Sequence, residues 1–408
     1  MTRFDETCTI EHRTSNIEHR TSNIEHRLNH SQKQKALIVT LYDPIGNYGN
    51  SLQHYALQEI LKRSGIEADS LKCERGMLHK ISVFLKRAAK LVLAVLGVKK
   101  YREKLRNKIK GDPKIQLRRK FFASFYDECI DKLIPCTYRE AFRSKPSRWN
   151  EYDYVITGSD QVWNMRIVKT SEALRFYYLM FTDKDKRVNY APSFGLSEPG
   201  QKEKHIHKEG LMGFNMLSCR EEAGCKIIRD LTGREAEHVL DPTLLLSAED
   251  WRKFERRPDY DIPEHYTIAY FLGGMKIYED DLKKTAGDLP VIDILDIENE
   301  VFYLTGPREF VYLIDHAECV LTNSFHGTIF SINLRKQFIS FGKNSIDSFR
   351  AITFSRIESI LSNLGLSSRI YEHGRESYDA PINYDDVHMR LNAWRESSMK
   401  YLNSALGI

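Results

Sequence analysis

The chain has 408 residues, of which 41% are hydrophobic and 29% are charged, and its formal net charge is +5. This length and composition favour an ordinary globular protein of two, or at most three, domains. Seven cysteines without any CxxC spacing indicate neither a zinc knuckle nor a disulfide framework. The N-terminus carries no apolar run typical of a signal peptide, so we expect reduced thiols and a cytoplasmic location.

The N-terminal residues contain a heptapeptide repeat. The sequence IEHRTSN fills residues 10–16 and 17–23, and a third copy starts at residue 24. One isoleucine in every seven residues cannot build a core, so residues 1–34 are predicted to form a disordered tail. The repeated histidines are too weak a signal to predict a metal site, and we predict none in the chain.

Globular sequence begins at Ala36, where the apolar run ALIVTLY is typical of a short β-strand. The following DPIGNYGNS contains two glycines and a proline, which are strong turn signals. Apolar residues then recur at helical spacing from Leu52 to Leu61, and Gly65 ends the run. A strand, a glycine loop and a helix in this order indicate the first unit of an α/β layer.

Residues 75–120 are strongly basic. They contain sixteen Lys or Arg against Glu103 and Asp112, a net charge of +14, which leaves −9 for the rest of the chain. Three basic residues interrupt the apolar run from Ile81 to Val98, so a membrane-spanning helix is not expected. Two interpretations stay open: a basic amphipathic helix on an anionic membrane surface, or a solvated helical excursion that packs on the protein body. Nucleic-acid binding is disfavoured, because no aromatic stacking pattern accompanies the charge.

Short apolar strands that end in Gly, Ser, Asn or Asp recur along the rest of the chain. They lie in YDYVITGSDQVWN, RVNYAPSFG, LSCREEAG, HVLDPTLLL, YTIAYFLGG and ECVLTNSFHGT. In open α/β sheets, ligands bind beyond the carboxyl ends of the strands. Two such sheets would place two polar edges on either side of a cleft, where we expect the functional site.

The segment VLTNSFHGTIF places His326 where a buried strand is predicted to turn into a helix. Gly327 permits a tight turn or the close approach of a ligand. The predicted helix start offers free N–H groups and a partial positive charge. A histidine beside it can hold a phosphate or transfer a proton. The alternative is a buried histidine that neighbouring backbone groups satisfy.

Other motifs are individually ambiguous. In GSDQVWN, Asp160 and Gln161 offer polar groups, and Trp163 could stack on a sugar. In SCREEAG, Arg220 would either clamp an oxyanion or pair with a neighbouring glutamate. LDPT is more typical of a structural turn, in which Asp241 caps the next segment.

Taken in order, the motifs GNYGNSLQ, GSDQVWN, APSFG, SCREEAG, LDPTLLL and TNSFHGT resemble the polysaccharide pyruvyl transferase family. The resemblance covers about residues 36–369. It implies an α/β fold of two Rossmann-like domains that face each other across a cleft, as in GT-B glycosyltransferases. It also implies transfer of a pyruvyl group from phosphoenolpyruvate to two hydroxyls of a glycan, which yields a cyclic ketal.

On this basis we expect an N-terminal domain over residues 35–250, with the basic segment as an excursion, and a C-terminal domain over residues 251–380. A final helix is expected over residues 381–408. The N-terminal domain would hold the acceptor and the C-terminal domain the donor. No cofactor is expected, since phosphoenolpyruvate enters as a co-substrate.

The resemblance also implies roles for individual residues. His326, which matches the family's histidine before glycine, is expected to be the general acid and base. Asp160 is the alternative base for the sugar hydroxyl. The expected contacts of the anionic donor are Arg220, Arg356, Ser324, Asn323, Gly327 and Lys343. Ser324 stands where some relatives carry an arginine, so its hydroxyl and nearby N–H groups, or another cation, must replace that charge.

The acceptor is expected to contact Asn47, Asn50, Gln161 and Trp163. The family's setting implies a glycan or a lipid-linked saccharide as acceptor. This would place the protein at the inner face of the plasma membrane, in peripheral contact with anionic lipid, and no nucleic-acid partner is expected. Two alternatives are a GT-B-like glycosyltransferase that uses a nucleotide sugar and a glycan-binding relative without catalysis.

Overall fold

The computed structural model describes residues 33–42, 46–73, 113–143, 148–196, 198–273, 282, 285–342, 348–374, 377–378 and 380–408. Several expectations fall outside these residues: the heptapeptide tail up to residue 32, the basic segment up to residue 112, and Lys343. Within the described part of the chain, no helix is both long enough and apolar enough to cross a membrane.

The first sheet contains five parallel strands from the first half of the chain. They are β1 (Lys35–Val39), β2 (Glu67–Cys73), β3 (Leu133–Cys136), β4 (Tyr154–Thr157) and β5 (Arg187–Asn189), in the spatial order β3-β2-β1-β4-β5. β1 is central, and its apolar residues 36–39 are fully buried, as expected for a parallel strand covered on both faces. The strand order reverses between β1 and β4, which creates a switch point there.

The helices of the first half follow these strands. They are α1 (Tyr48–Arg63), α2 (Pro113–Cys129), α3 (Tyr138–Arg143), α4 (Met165–Val168), α5 (Ser171–Tyr177), α6 (Lys204–Leu211) and α7 (Glu222–Thr232), with a 3-10 turn at Lys184–Lys186. The side chain of Asn47 caps α1 by accepting the N–H of Asn50. Lys62 and Arg63 lie in its last turn, where positive charge is favourable.

A short parallel pair, β6 (Ser218–Cys219) and β7 (Glu237–His238), follows the first sheet. Backbone contacts join this pair to the end of the sheet. Asp160 and Pro192 form an isolated parallel β-bridge, and the N–H of Arg220 donates to the Pro192 carbonyl at 3.1 Å. The segments that end in GSD, APS and SCR therefore lie side by side. This agrees with the prediction that the polar strand ends meet at one edge.

The second sheet is also parallel and contains four strands. They are β8 (Thr267–Tyr270), β9 (Val291–Asp293), β10 (Cys319–Thr322) and β11 (Gln337–Ser340), in the order β11-β10-β8-β9. The order reverses between β8 and β10, so this sheet has its own switch point.

The helices of the second half begin before this sheet and end at the C-terminus. They are α8 (Pro242–Leu245), α9 (Ala248–Phe254), α10 (Glu300–Tyr303), α11 (Pro307–His316), α12 (Phe325–Asn333), α13 (Ser348–Asn363) and α14 (Tyr384–Leu406), with a 3-10 turn at Ser367–Arg369. α14 contacts both halves of the protein. Its His388 bonds to the carbonyl of Ile332 in α12 at 3.0 Å, and its Tyr401 hydroxyl donates to the carbonyl of Asn189 in β5 at 3.2 Å.

Tyr48, at the start of α1, joins the two sheets. Its hydroxyl donates to the carbonyl of Thr305 at 3.0 Å, and its ring stacks on Phe310 with centroids 4.2 Å apart. The guanidinium of Arg118 in α2 lies 4.9 Å from the centre of the Tyr48 ring and donates to the carbonyl of Tyr303. Tyr48 and Arg118 are both buried, so these contacts hold the two halves face to face.

The predicted fold class is confirmed: the protein is α/β, with two Rossmann-like parallel sheets that face each other in a GT-B-like arrangement. The expected boundary between residues 250 and 251 falls inside α9. The expected final helix corresponds to α14. The division into an acceptor domain and a donor domain stays a prediction.

Candidate functional site

His326 lies in the first turn of α12, just beyond the carboxyl end of β10. Ser324 caps this helix by accepting the N–H of Gly327 at 3.4 Å. Gly327 allows close packing on the strand, because a Cβ there would lie 2.4 Å from Oγ1 of Thr322. The imidazole is buried, yet its Nε2 has no hydrogen-bond partner among the described residues. The structure thus disfavours the alternative in which neighbouring backbone satisfies this nitrogen.

Asp241 lies beside His326, although its sequence motif indicated only a capping role. Its Oδ1 does cap α8 by accepting the N–H of Thr243 at 3.0 Å. Its Oδ2 lies 2.7 Å from Nη1 of Arg220 and 3.7 Å from Nε2 of His326. Burial would raise the pKa of the Asp241 carboxyl, but His326 and Arg220 hold this pKa well below its usual range. Asp241 is therefore ionised, and it is a site residue that the sequence analysis missed.

Arg220 is held between two carboxylates. Its Nη1 pairs with Asp241 at 2.7 Å, and its Nη2 lies 3.4 Å from Oδ1 of Asp160. Burial would lower the pKa of Arg220, but the charges of Asp241 and Asp160 raise it above its ordinary value. The sequence interpretation paired Arg220 with a neighbouring glutamate, whereas in the structure its ion-pair partners are aspartates from two other motifs. Because these carboxylates balance its charge, Arg220 is less suited to clamp an anion directly.

Asp160 follows β4 and has a φ of 70°, in the left-handed region that non-glycine residues rarely adopt. Asn50 Nδ2 donates to Oδ2 of Asp160 at 3.0 Å, and the Tyr126 hydroxyl donates to Oδ1 of Asn50 at 3.2 Å. Burial would raise the pKa of Asp160, but the positive charge of Arg220 and its other partners lower it overall. A carboxylate with a lowered pKa is a weaker base than an ordinary one.

Arg356 supplies the second arginine of the site. It is 7% exposed, and its Nε has no hydrogen-bond partner among the described residues. Its guanidinium lies 5.6 Å from the centre of the Phe325 ring, and that of Arg220 lies 4.9 Å from the same centre. Burial and the charge of Arg220 lower the pKa of Arg356 to about 10, so it stays protonated at neutral pH. A buried cation of this kind favours an anionic ligand.

The cavity beside Arg220 and Arg356 is small. A cavity of about 10 Å³ is lined by residues that include Arg220, Asp241, Phe325 and Arg356. This volume holds about one water molecule.

The residues expected to contact an acceptor have other tasks in the structure. Asn50 holds Asp160, and Asn47 caps α1. The side chain of Gln161 accepts a hydrogen bond from Nδ2 of Asn164 at 2.7 Å. Contacts of these residues with a sugar stay predictions.

Trp163 contradicts its expected role. It is 1% exposed, and its ring stacks on Tyr178 with centroids 5.0 Å apart. The indole also packs near Phe194, inside the hydrophobic cluster of the first half. A sugar cannot reach this ring unless the core unpacks, so the expected stacking interaction is wrong.

Two donor contacts expected from the sequence also stabilise local structure. Asn323 Oδ1 accepts the N–H of Leu272 at 2.7 Å, and its Nδ2 donates to the Leu272 carbonyl at 3.2 Å. Asn323 thereby fixes the loop that follows β8. Ser324 caps α12. Lys343 lies outside the described residues.

One group among the described residues could offer metal ligands: Glu255, Asp315 and His316. Asp315 already makes two contacts of 2.9 Å with Arg252. Asp315 and His316 precede β10 in the chain, whereas His326 follows β10. The group therefore lies at the opposite end of that strand from His326. It does not belong to the site around His326.

The site thus combines one imidazole, two guanidinium groups and two carboxylates where the switch points of the two sheets meet. His326 can accept or donate a proton at its free Nε2. Arg356 and the N-terminus of α12 can attract an anion. The arrangement suits proton transfer next to an anionic group.

Comparison with solved structures finds distant similarity over most of the chain. UDP-N-acetylglucosamine 2-epimerases from Methanocaldococcus jannaschii and Neisseria meningitidis are each 10% identical, with TM-scores of 0.45 and 0.44. The alignments cover 88% and 91% of this chain and 92% and 94% of those chains. The glycosyltransferase SnogD from Streptomyces nogalater is 13% identical over 92% of this chain and 100% of that chain, with a TM-score of 0.33. These values identify no substrate for this chain.

No curated protein matches the chain. The profile of the polysaccharide pyruvyl transferase family, in contrast, matches residues 47–345. This range runs from the cap of α1 past β11 and includes His326, Arg220, Asp160 and Asp241. The match covers well over half of the sequence. The chain therefore belongs to the polysaccharide pyruvyl transferase family.

Proposed function

We propose that the protein transfers a pyruvyl group from phosphoenolpyruvate to two hydroxyls of a glycan sugar, forms a cyclic ketal and releases phosphate. Membership of a transferase family supports the reaction class. The observation that carries the proposal is the position of His326 at the N-terminus of α12. Its Nε2 has no hydrogen-bond partner among the described residues and lies 3.7 Å from Oδ2 of Asp241. This places a proton carrier next to groups that attract an anion.

We assign the anionic groups of phosphoenolpyruvate to Arg356 and to the N-terminal N–H groups of α12. Arg356 is buried and protonated, and its Nε has no partner in the described part of the chain. Arg220 is assigned a different task, because Asp241 and Asp160 already balance its charge. It holds the two carboxylates in position around the imidazole.

The chemistry conserves atoms and charge without a redox step. A proton added to C3 of phosphoenolpyruvate makes C2 electrophilic, and one sugar hydroxyl attacks C2 and loses its proton. The C2–O bond to phosphate then breaks, and a second hydroxyl closes the ketal at C2 and loses its proton. One of the two hydroxyl protons replaces the proton given to C3, and the other leaves with phosphate.

His326 is the group that we assign to these proton transfers. Its neutral form can take the hydroxyl proton, and its protonated form can supply the proton that the donor needs. The ionised Asp241 lies 3.7 Å from Nε2 of this imidazole. Asp160 is less suitable, since its neighbours lower its pKa.

We further propose a glycan or lipid-linked saccharide as acceptor and a location at the inner face of the plasma membrane. Family membership supports a polysaccharide acceptor. The basic residues of 75–120 support contact with anionic lipid. Neither a cofactor nor a nucleic acid enters the proposed reaction.

The reaction can be tested by incubating the protein with phosphoenolpyruvate and a panel of free and lipid-linked saccharides. Phosphate release and the methyl signal of the ketal in NMR spectra would report turnover. We expect His326→Gln to lower kcat by about 10²-fold or more, as for a lost acid or base. Phosphoenolpyruvate should still bind to this variant, because Arg356 is unchanged.

His207→Gln is a matched control. This histidine is also buried and bonds to the Tyr178 hydroxyl at 2.7 Å, but it lies away from the site. It should keep kcat close to that of the wild type. Thermal stabilisation by a nucleotide diphosphate sugar, with none by phosphoenolpyruvate, would instead support a glycosyltransferase. Retained glycan affinity without turnover on any acceptor would support a binding protein.

A further inference from the structure

We propose that Gly49 is a positioning residue, which fixes the imidazole of His326 by leaving room for it. A Cβ on Gly49 would lie 1.9 Å from Nδ1 and 2.2 Å from Cγ of His326. Gly49 belongs to the first turn of α1 and His326 to the first turn of α12, so the two residues come from opposite halves of the protein. The backbone of one half forms the wall against which the imidazole of the other half rests. This inference rests on the proposed function.

The backbone conformation itself does not require glycine at this position. The φ of Gly49 lies outside the left-handed region, and the residue is part of a regular helix. Within a helix, alanine is more favourable than glycine. The feature that requires glycine is therefore the imidazole opposite, which a side chain at residue 49 would displace.

The helix end cannot move away to make room, because both neighbours of Gly49 are held. Tyr48 is buried and its hydroxyl bonds to Thr305 at 3.0 Å. Asn50 is buried and bonds to Asp160 at 3.0 Å. A methyl group at residue 49 would thus push the imidazole and leave α1 in place.

Displacement of the ring would change its distance from Asp241. Nε2 of His326 now lies 3.7 Å from Oδ2 of Asp241, and the ring atoms nearest to a Cβ on Gly49 would be Nδ1, Cγ and Cε1. A shift of about 1 Å at a reacting group can cost about 10²-fold in rate. Gly49 therefore acts on the reaction through His326, without contact with the substrate.

The kinetic test compares Gly49→Ala with Gly210→Ala. Gly210 is a buried helical glycine in α6, and its Cβ would lie 2.2 Å from Cγ of Tyr178, away from the site. Both variants should lose stability. Only Gly49→Ala should lower kcat, by about 10²-fold, and shift the pH profile of kcat, while KM for phosphoenolpyruvate stays within about threefold. An unchanged kcat and pH profile in Gly49→Ala would overturn the inference.

A stability cycle tests the same contact without turnover. Gly49→Ala should lower Tm in the wild type, whereas it should leave Tm unchanged or raise it in a His326→Ala background, where the ring is absent. The same loss in both backgrounds would refute the role of Gly49. If Gly49→Ala alone does not fold, recovery of folding in the double variant supports the inference, and failure to recover refutes it. Because Tm is independent of pyruvyl transfer, an error in the proposed function would leave this result intact.

Discussion

Each oxygen of the Asp241 carboxylate serves a different part of the molecule. Oδ1 accepts the N–H of Thr243 at 3.0 Å and begins α8. Oδ2 balances Arg220 at 2.7 Å and lies near His326 at 3.7 Å. Asp241 and Arg220 are both buried, so the negative charge of Asp241 is needed to balance Arg220 as well as for the chemistry. A buried pair that loses one partner leaves an uncompensated charge.

We predict that Asp241→Asn lowers the free energy of unfolding by about 3–5 kcal/mol, the cost typical of breaking a buried ion pair. The amide oxygen can still cap α8, so the loss reports mainly the missing charge beside Arg220. Urea unfolding at neutral pH measures the effect. Asp131→Asn is the control, since its pair with Lys62 is exposed and should contribute less than about 1 kcal/mol. Equal losses in the two variants would contradict this account.

The same carboxylate predicts how stability depends on pH. Its folded-state pKa is lowered, so the ion pair contributes stability above the unfolded pKa, about 3.9 for an aspartate. This contribution is lost as the pH falls below that value towards the folded pKa. The wild type should therefore lose stability more steeply below about pH 4 than Asp241→Asn, which unfolding curves at several pH values can show. Parallel curves for the two proteins would argue against a lowered pKa.

Single residues differ in how well the sequence predicted them. His326 and Asp160 were predicted as site residues because each follows an apolar strand, which brings polar groups to a sheet edge, and their roles stay predictions. Asp241 was missed, since an aspartate before a proline also satisfies a simple turn. Trp163 was misassigned because a short motif does not reveal which face of the segment is buried. The partner of Arg220 depends on contacts between distant segments.

At the scale of elements, α14 supports the segment that carries Asp241. The N–H of Leu240 donates to Oγ of Ser398 at 3.0 Å, and Nε1 of Trp394 donates to the carbonyl of His238 at 2.9 Å. The C-terminal helix thus supplies hydrogen bonds to a strand end that reaches the site. It also extends from α12 to β5, so it connects the two halves.

We predict that Ser398→Ala lowers the free energy of unfolding by about 1–3 kcal/mol, because the buried N–H of Leu240 loses its acceptor. Ser397 is the neighbouring control, since its hydroxyl donates to the Trp394 carbonyl at 3.0 Å on the exposed side. Ser397→Ala should change stability by less than about 0.5 kcal/mol. Thermal or urea unfolding of both variants measures this difference in stability. A Ser398→Ala protein as stable as Ser397→Ala would show that the contact is unimportant.

The sequence predicted individual strands and helices better than it predicted which of them lie side by side. β1 and α1 were expected, because an apolar run, turn residues and helical spacing define them. The strand orders were not predicted. β1 pairs with β4, which lies more than a hundred residues later, and no local signal specifies such a pairing. The same limit applies to the contact between Gly49 and His326.

At the scale of the whole molecule, positive charge is concentrated in one segment. Residues 75–120 carry +14 and the rest of the chain −9. Within the described residues 113–120, Arg118 is buried against Tyr48 and Lys114 bonds to the carbonyl of Ile297 at 2.9 Å, so these two basic side chains contact the protein itself. The same helix, α2, exposes Leu117 and Phe121 one turn apart. Charge and apolar surface therefore occur together, as in proteins that bind anionic membranes.

We predict that the protein floats with vesicles containing phosphatidylserine and not with neutral vesicles, and that salt weakens this binding. Deletion of residues 81–110 removes ten Lys or Arg and should abolish flotation, since each basic residue near the surface contributes about 1 kcal/mol. Charge reversal at Lys202 and Lys226, which are exposed elsewhere, is the control and should preserve flotation. Flotation that survives the deletion would exclude this segment as the membrane contact and leave the solvated helical excursion as its interpretation.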